Sequence, residues 1–240
     1  MIKHIWQGQT FWLHPNRLMY WEEQNILIGS DLHLGKTGHF RKAGIAMPQQ
    51  VYKEDLQRLF AAIQHFSPKQ LLIVGDLFHS EANKELDWFI RWRNDFPAID
   101  FHLVKGNHDI LQKEWYQKNG LAVSGALQVG GLRFLHDPAE VPHKKKLPTS
   151  ELATNDCPEL DAKMERPTVS GHLHPGISIS GGGRQTLRFP CFYFTEMQCI
   201  LPAFSLFTGL CSIKQKKGEA VFAITPTNTN KGEQGAVIKL

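Results

Sequence analysis

Residues 25–33, Asn25-Ile26-Leu27-Ile28-Gly29-Ser30-Asp31-Leu32-His33, decide how this chain is read. An apolar run of strand length ends at Gly29-Ser30, and a carboxylate and an imidazole follow two residues apart. The pattern returns four times. Leu71–Val74 runs into Gly75-Asp76, and Phe101–Lys105 into Gly106-Asn107-His108-Asp109. Leu132–Leu135 runs into His136, and Thr168–Ser170 into Gly171-His172-Leu173-His174. Open sheets place ligands just beyond the carboxyl ends of their strands. Strand ends bearing carboxylate, carboxamide and imidazole therefore read as one polynuclear metal site.

Around these runs the first thirty residues read as β-structure, with Thr10–Leu13 and Arg17–Trp21 flanking a His14-Pro15-Asn16 turn. Pro48 opens a helix whose apolar face is Tyr52, Leu56, Leu59, Phe60 and Ile63. A second helix spans 81–95 with Leu86, Phe89 and Ile90 inward. A third begins near Leu111 and stops at Asn119-Gly120. Alternating strands and helices make an α/β half through about residue 125. Residues 121–136 and 168–240 read as mostly β, with tight turns at Gly181-Gly182-Gly183 and Lys216–Glu219. Two sheets packed face to face with helices outside would accommodate both halves. Residues 137–167, rich in proline and holding Lys144-Lys145-Lys146, have no periodicity. They form either a flap at the edge of the site or a solvated excursion.

At 240 residues the chain reads as one domain, 1–240, with ample core. The balance of 27 basic and 23 acidic residues permits a polyanionic partner without requiring one. Cys157, Cys191, Cys199 and Cys211 form no Cys-x-x-Cys pair and read as free thiols. With no signal peptide at the N-terminus and no run long enough for a membrane span, a cytoplasmic protein without membrane contact is expected.

Asp31 and His33 share one face of an extended backbone, as do His172 and His174. With Asp76, Asn107 and His136 they make seven candidate ligands. Two cations sharing one carboxylate suit that number better than one cation. The oxygen and imidazole donors, without thiolate, suit Mn²⁺, Fe or Zn²⁺. Two such ions about 3.5–4 Å apart clamp the attacking and leaving oxygens of a displacement at phosphorus.

Taken together, Asp31-x-His33, Gly75-Asp76, Gly106-Asn107-His108-Asp109, His136 and Gly171-His172-x-His174 resemble the five signature motifs of the calcineurin-like metallophosphoesterases. The resemblance implies the metallo-dependent phosphatase fold, a four-layer α/β/β/α sandwich. It implies one metal on Asp31, His33, Asp76 and His174, and another on Asp76, Asn107, His136 and His172, with Asp76 bridging. His108 would act on the phosphate or leaving oxygen, and Asp109 would orient and tune that imidazole. No core position is replaced, which argues against a non-catalytic scaffold.

Asp31–Lys36, Phe40–Ile45 with Pro48, Gly75–Ser80, Leu201-Pro202-Ala203-Phe204 and Thr208-Gly209 are similar to a bacterial subgroup, the DNA-ligase-associated metallophosphoesterases. That likeness implies a DNA-damage-response endonuclease working with DNA ligase and helicase or exonuclease repair proteins. The alternative is a phosphoesterase for a small nucleotide or other phosphoester. Lys36, His39, Arg41 and His79 are candidate substrate contacts, against the plainer reading of a solvated basic loop. His4, His14, His65, His102 and His143, and Trp88 and Trp92, read as structural or exposed.

Overall fold

A computed structural model describes residues 1–34, 50–78, 84–140, 166–181, 185–226 and 235–240. The sequence expectations for Pro48, Lys144–Lys146, Gly182 and Gly183, and for most of 137–167, lie outside these residues.

Seven strands form the first sheet. They are β1 (Ile2–Trp6), β2 (Gln9–His14), β3 (Leu18–Trp21), β4 (Ile26–Ser30), β5 (Gln70–Val74), β6 (Asp100–Val104) and β7 (Leu121–Ser124), paired in chain order. The first four run antiparallel and β4 to β7 run parallel. Helices α1 (Gln50–Phe66), α2 (Lys84–Asn94) and α3 (Lys113–Lys118) make the crossovers. The third ends at Asn119 and Gly120, the latter at φ +76°.

The second sheet holds β8 (Leu127–Val129), β9 (Leu132–Phe134), β10 (Thr168–Ser170), β11 (Pro175–Ser180), β12 (Thr186–Phe194), β13 (Gln198–Ile200), β14 (Cys211–Ser212), β15 (Ala220–Ile224) and β16 (Val237–Lys239). Its order is β14-β11-β12-β13-β10-β9-β8, with β15 on β12 and β16 on β15. The middle strands β13, β10 and β9 run parallel. Strands β11 and β12 pair antiparallel, from Ser180↔Thr186 onward. The turn at Lys216–Glu219 does not join paired strands, because β14 pairs with β11 instead.

Period-two alternation decides which side each strand residue fills. Ile26, Ile28, Leu72 and Val74 point between the sheets, where they meet Phe134, Val169, Phe192, Phe194 and Phe222. Leu27, Leu71, Ile73, Phe101 and Leu103 point the other way, onto Tyr52, Leu59, Ile63 and Phe89 of the helices. The central strands are buried on both faces, so their sequences are continuous apolar runs. The result is an α/β fold with two facing sheets, in keeping with the metallo-dependent phosphatase class. All three described helices lie on the first sheet.

Some expectations change. Phe60 is 45% exposed and only edges onto Phe96, because its position on α1 lies past the end of the buried arc. Strand β1 falls within the first thirty residues, which were expected to be β-structure, ahead of the two strands given explicit bounds. Cys191 and Cys199 are free and buried, whereas Cys211 is disulfide-bonded, which corrects the reading of four free thiols. His4 packs between Phe194 and Phe222, and Trp88 and Trp92 pack on the helical core, all structural as expected. No described helix is long and apolar enough to cross a membrane.

The inter-sheet core should therefore respond to truncation far more than the outer face of α1. Phe134→Ala is expected to lower unfolding free energy by about 3–5 kcal/mol in urea titration, and Phe60→Ser by less than about 1 kcal/mol. Equal losses would contradict this packing.

Candidate metal centre

The carboxyl ends of β4, β5 and β6 lie side by side in one sheet, and those of β9 and β10 in the other. Each strand delivers its motif to the same end of the sandwich. Beyond β4 and β5 the chain continues as a short parallel ladder: Asp31 N–H donates to Gly75 O at 3.1 Å, His33 N–H to Asp76 O at 2.8 Å and Leu34 N–H to Leu77 O at 2.9 Å.

All seven candidate ligands come together. His174 Nε2 lies 3.1 Å from Asp31 Oδ1, and His33 Nε2 and His136 Nε2 each lie 4.0 Å from that oxygen. His136 Nε2 is also 3.4 Å from Asp76 Oδ2, 3.2 Å from Asn107 Oδ1 and 3.2 Å from His172 Nδ1. Every ligand is thus joined to the next by no more than 4.0 Å. Two groups have donor atoms mutually within 4.8 Å: Asp31, His33 and His174, and Asp31, Asp76 and His136. Both contain Asp31, the deepest of the seven.

These donors fit divalent cations. Asp31 is fully buried, and its Oδ1 has no hydrogen-bond partner. An isolated buried carboxylate oxygen surrounded by imidazoles is costly unless a cation joins them. The other oxygen, Oδ2, accepts from Ser30 Oγ–H and, at 3.1 Å, from His172 N–H, so it is already committed. His136 Nδ1 lies 3.1 Å from Val74 O; donation there leaves Nε2 as the free lone pair facing the carboxylates.

Backbone strain concentrates here. Asp31, His33, Asp76, His172 and His174 all have left-handed φ, between +47° and +66°. Each costs about 1–2 kcal/mol for an L-residue with a side chain. The sharp reversals turn the side chains back over the strand ends. Gly75, at φ +80°, precedes Asp76 because a Cβ there would collide with the His136 ring. A Cβ at Gly106 would collide with the Asp76 carboxylate.

Charge follows burial. Burial pushes the Asp31 pKa up, but the His174 ring nitrogen 3.1 Å away and the His136 charge hold it below the ordinary carboxylate range. Burial likewise opposes ionisation of Asp76, and the His136 hydrogen bond and charge outweigh it, giving about 2. Burial alone would lower His136, but the Asp76 hydrogen bond and the Asp31 and Asp76 charges raise it to about 9.

Asp109 plays a different part from the one expected. Its Oδ2 accepts from Asp76 N–H at 2.8 Å and Gly106 N–H at 2.9 Å, and its Oδ1 from Leu77 N–H at 3.0 Å and Phe78 N–H at 3.3 Å. The carboxylate addresses main chain rather than the His108 imidazole, and so clamps the Asp76 loop to the Gly106–Asp109 loop. His108 N–H in turn donates to Asp76 Oδ1 at 2.9 Å. Its imidazole is exposed and edge-on to His33, with ring centres 5.6 Å apart.

The structure also adds residues that local reading did not single out. Ser30 Oγ bonds both Asp31 and Val74 O. The strap Ala203–Ser205 runs beside the first motif: Phe204 N–H donates to Ser30 O at 2.8 Å and Ser205 N–H to Asp31 O at 3.2 Å. Arg17 and Arg58 hold its other edge, donating to the carbonyls of Ala203, Ser205 and Phe204. The Leu201–Phe204 stretch was visible only as a subgroup likeness. Lys36, His39, Arg41 and His79 lie outside the described residues.

Comparison with known proteins agrees with this centre. A family model for calcineurin-like phosphoesterases matches residues 25–193, and the chain belongs to that family: it is a metal-dependent phosphoesterase. It is similar to the crystal structure of Pseudomonas putida nuclease MPE, with 25% identity and a TM-score of 0.72 over 92% of this chain and 96% of that one. A second solved structure, Yfce, a phosphoesterase from E. coli, matches with 14% identity and a TM-score of 0.40 over 90% of this chain and 97% of that one. No curated protein matches at a significant level.

Two consequences can be measured. Asp109→Ala leaves four buried N–H groups without an acceptor, at about 1–3 kcal/mol each where no water enters, so urea titration should show a loss of about 3 kcal/mol or more; a loss under about 1 kcal/mol would refute the clamp. Ligation by His136 requires its neutral ring, so below about pH 9 an entering cation must displace a proton. Mn²⁺ affinity of the metal-free protein should rise up to about tenfold per pH unit from about pH 7 to 9, with proton release in calorimetry. Affinity independent of pH would exclude His136 as a ligand.

Proposed function

We propose that this protein is a dinuclear-metal phosphodiesterase that cleaves DNA, a nuclease of DNA repair. The reading is carried by the clustering of seven donor side chains, each within 4.0 Å of another, with three imidazoles around the buried Oδ1 of Asp31. The nature of the substrate is supported by the match to a nuclease along almost the whole chain. One cation would be held by Asp31, His33, Asp76 and His174, the other by Asp76, Asn107, His136 and His172, with Asp76 shared. Mn²⁺ suits this donor set best; Fe and Zn²⁺ also fit. Divalent cations bound there would supply a nucleophilic water near neutral pH and offset charge on the phosphodiester.

The chain's own groups do the rest. His108, exposed beside His33, would stabilise the phosphate and protonate the departing oxygen. The Asp76 carboxylate fixes the backbone of His108, and the Asp109 clamp keeps both loops in register. Burial of Asp31 and His33 keeps bulk water from the rear of the site. Lys36, His39, Arg41 and His79 are proposed to contact the substrate backbone. The subgroup likeness extends the proposal to cytoplasmic DNA repair alongside DNA ligase and helicase or exonuclease proteins.

Asp76→Asn and His108→Ala should each reduce Mn²⁺-dependent hydrolysis of an aryl phosphodiester by about a hundredfold or more. Wild-type rates in either would contradict the assigned roles. In a panel of cyclic nucleotides, nucleoside monophosphates, and single-stranded, nicked and supercoiled DNA, the expected turnover is on DNA. Good turnover of a mononucleotide with intact DNA would instead favour a small-phosphoester enzyme.

A further inference from the structure

Behind the Ala203–Ser205 strap lies a half-open cavity of about 500 Å³, within the size range of ligand sites. Three arginines line it, Arg17, Arg58 and Arg188, together with an apolar wall that includes Leu187, Phe189 and Leu206. None of the described residues lining it is acidic. The carboxylate behind it, Asp55, is paired with Arg58 at 2.8 Å. Arg17 and Arg58 are close enough that burial and the Arg58 charge lower the Arg17 pKa to about 10. One carboxylate therefore faces two guanidinium groups before the exposed Arg188 is counted. Arg58 Nε is buried without a hydrogen-bond partner. No described lining residue brings negative charge to the cavity, and Arg188 is exposed at it. Its apolar wall, with Leu187 60% and Leu206 46% exposed, has nothing covering it among the described residues.

Position matters as much as composition. Ser205, whose carbonyl Arg17 holds, donates its N–H to Asp31 O. Leu210 lines the cavity, and the next residue, Cys211, donates its N–H to His174 O. Two sides of the cavity are thus one hydrogen bond from main chain that carries a metal-centre residue.

We infer that this cavity holds the nucleotide next to the scissile phosphodiester, its phosphate on the arginines and its base against the apolar wall. Guanidinium groups suit phosphate, and an apolar wall accepts any base face. The identity of the polymer rests on the nuclease reading above; the anion site does not.

The test is binding of a short fluorescein-labelled oligothymidylate, followed by anisotropy in EDTA over a range of NaCl. Arg188→Glu should weaken binding about tenfold and flatten the dependence of log affinity on log salt by about one. Leu206→Trp, which fills the cavity at an exposed position without altering charge, should weaken it severalfold. Lys217→Glu makes the same charge change at the far end of β15, and should alter affinity by less than about twofold. If Lys217→Glu matched Arg188→Glu, or Leu206→Trp bound like the unsubstituted protein, the inference would be overturned. If binding depends on Arg188 and Leu206 but the Mn²⁺-loaded protein leaves DNA intact, the nuclease reading fails and the nucleotide site stands.

Discussion

Two carboxylates buried side by side govern this molecule. Asp31 and Asp76 are 0% and 2% exposed, and each has been taken from water at a cost of several kcal/mol. Only positive charge close at hand offsets that cost. Three imidazoles stand within 4.0 Å of Asp31 Oδ1, and the His136 ring also reaches Asp76. In the absence of a cation this arrangement depresses both carboxylates and raises His136. A site in which His136 holds a proton beside two carboxylates is also one in which a divalent cation can take that proton's place.

Such a cluster does not hold itself together. Five of its residues sit in left-handed backbone, a combined strain of several kcal/mol that relaxed loops would not keep. The strain is sustained because both sheets hold the strand ends rigidly. Strands β4 and β5 are in full register, and the ladder continues past them to Leu34 and Phe78. The Asp109 clamp joins the second motif to the third, and the Ala203–Ser205 strap joins the first to the exit of the second sheet. Burial of the two-sided core and geometry of the site are therefore one problem, since loosening either sheet would move ligands.

The polarity of the site follows from the same construction. Asp31, His33, Asp76 and His136 are buried, while Asn107 and His108 are exposed and His172 and His174 half-buried. The rear is closed by packed strands, and among the described residues the exposed groups of the site, Asn107 and His108, face the other way.

Much of this was legible in residues alone. Strands β4, β5 and β6 were visible because burial on both faces makes them uninterrupted apolar runs, and Asp31, Asp76 and Asn107 were visible because they break those runs. The β character of the first thirty residues was legible too, but the bounds of β1, Ile2–Trp6, were not, because no strong turn residue follows it until Gly8. Phe60 was placed inward because periodicity locates a face without giving the width of its buried arc. The sequence by itself determined the two-sheet α/β class and which side chains could become ligands, since both depend on short-range pattern. Only the tertiary structure decided that Asp109 clamps main chain, that Ser30 reaches Val74 O, and that Arg17 and Arg58 grip a strap more than 140 residues away. Those contacts join segments distant along the chain, and hydrogen bonds formed by chain folding leave no periodic trace at either partner.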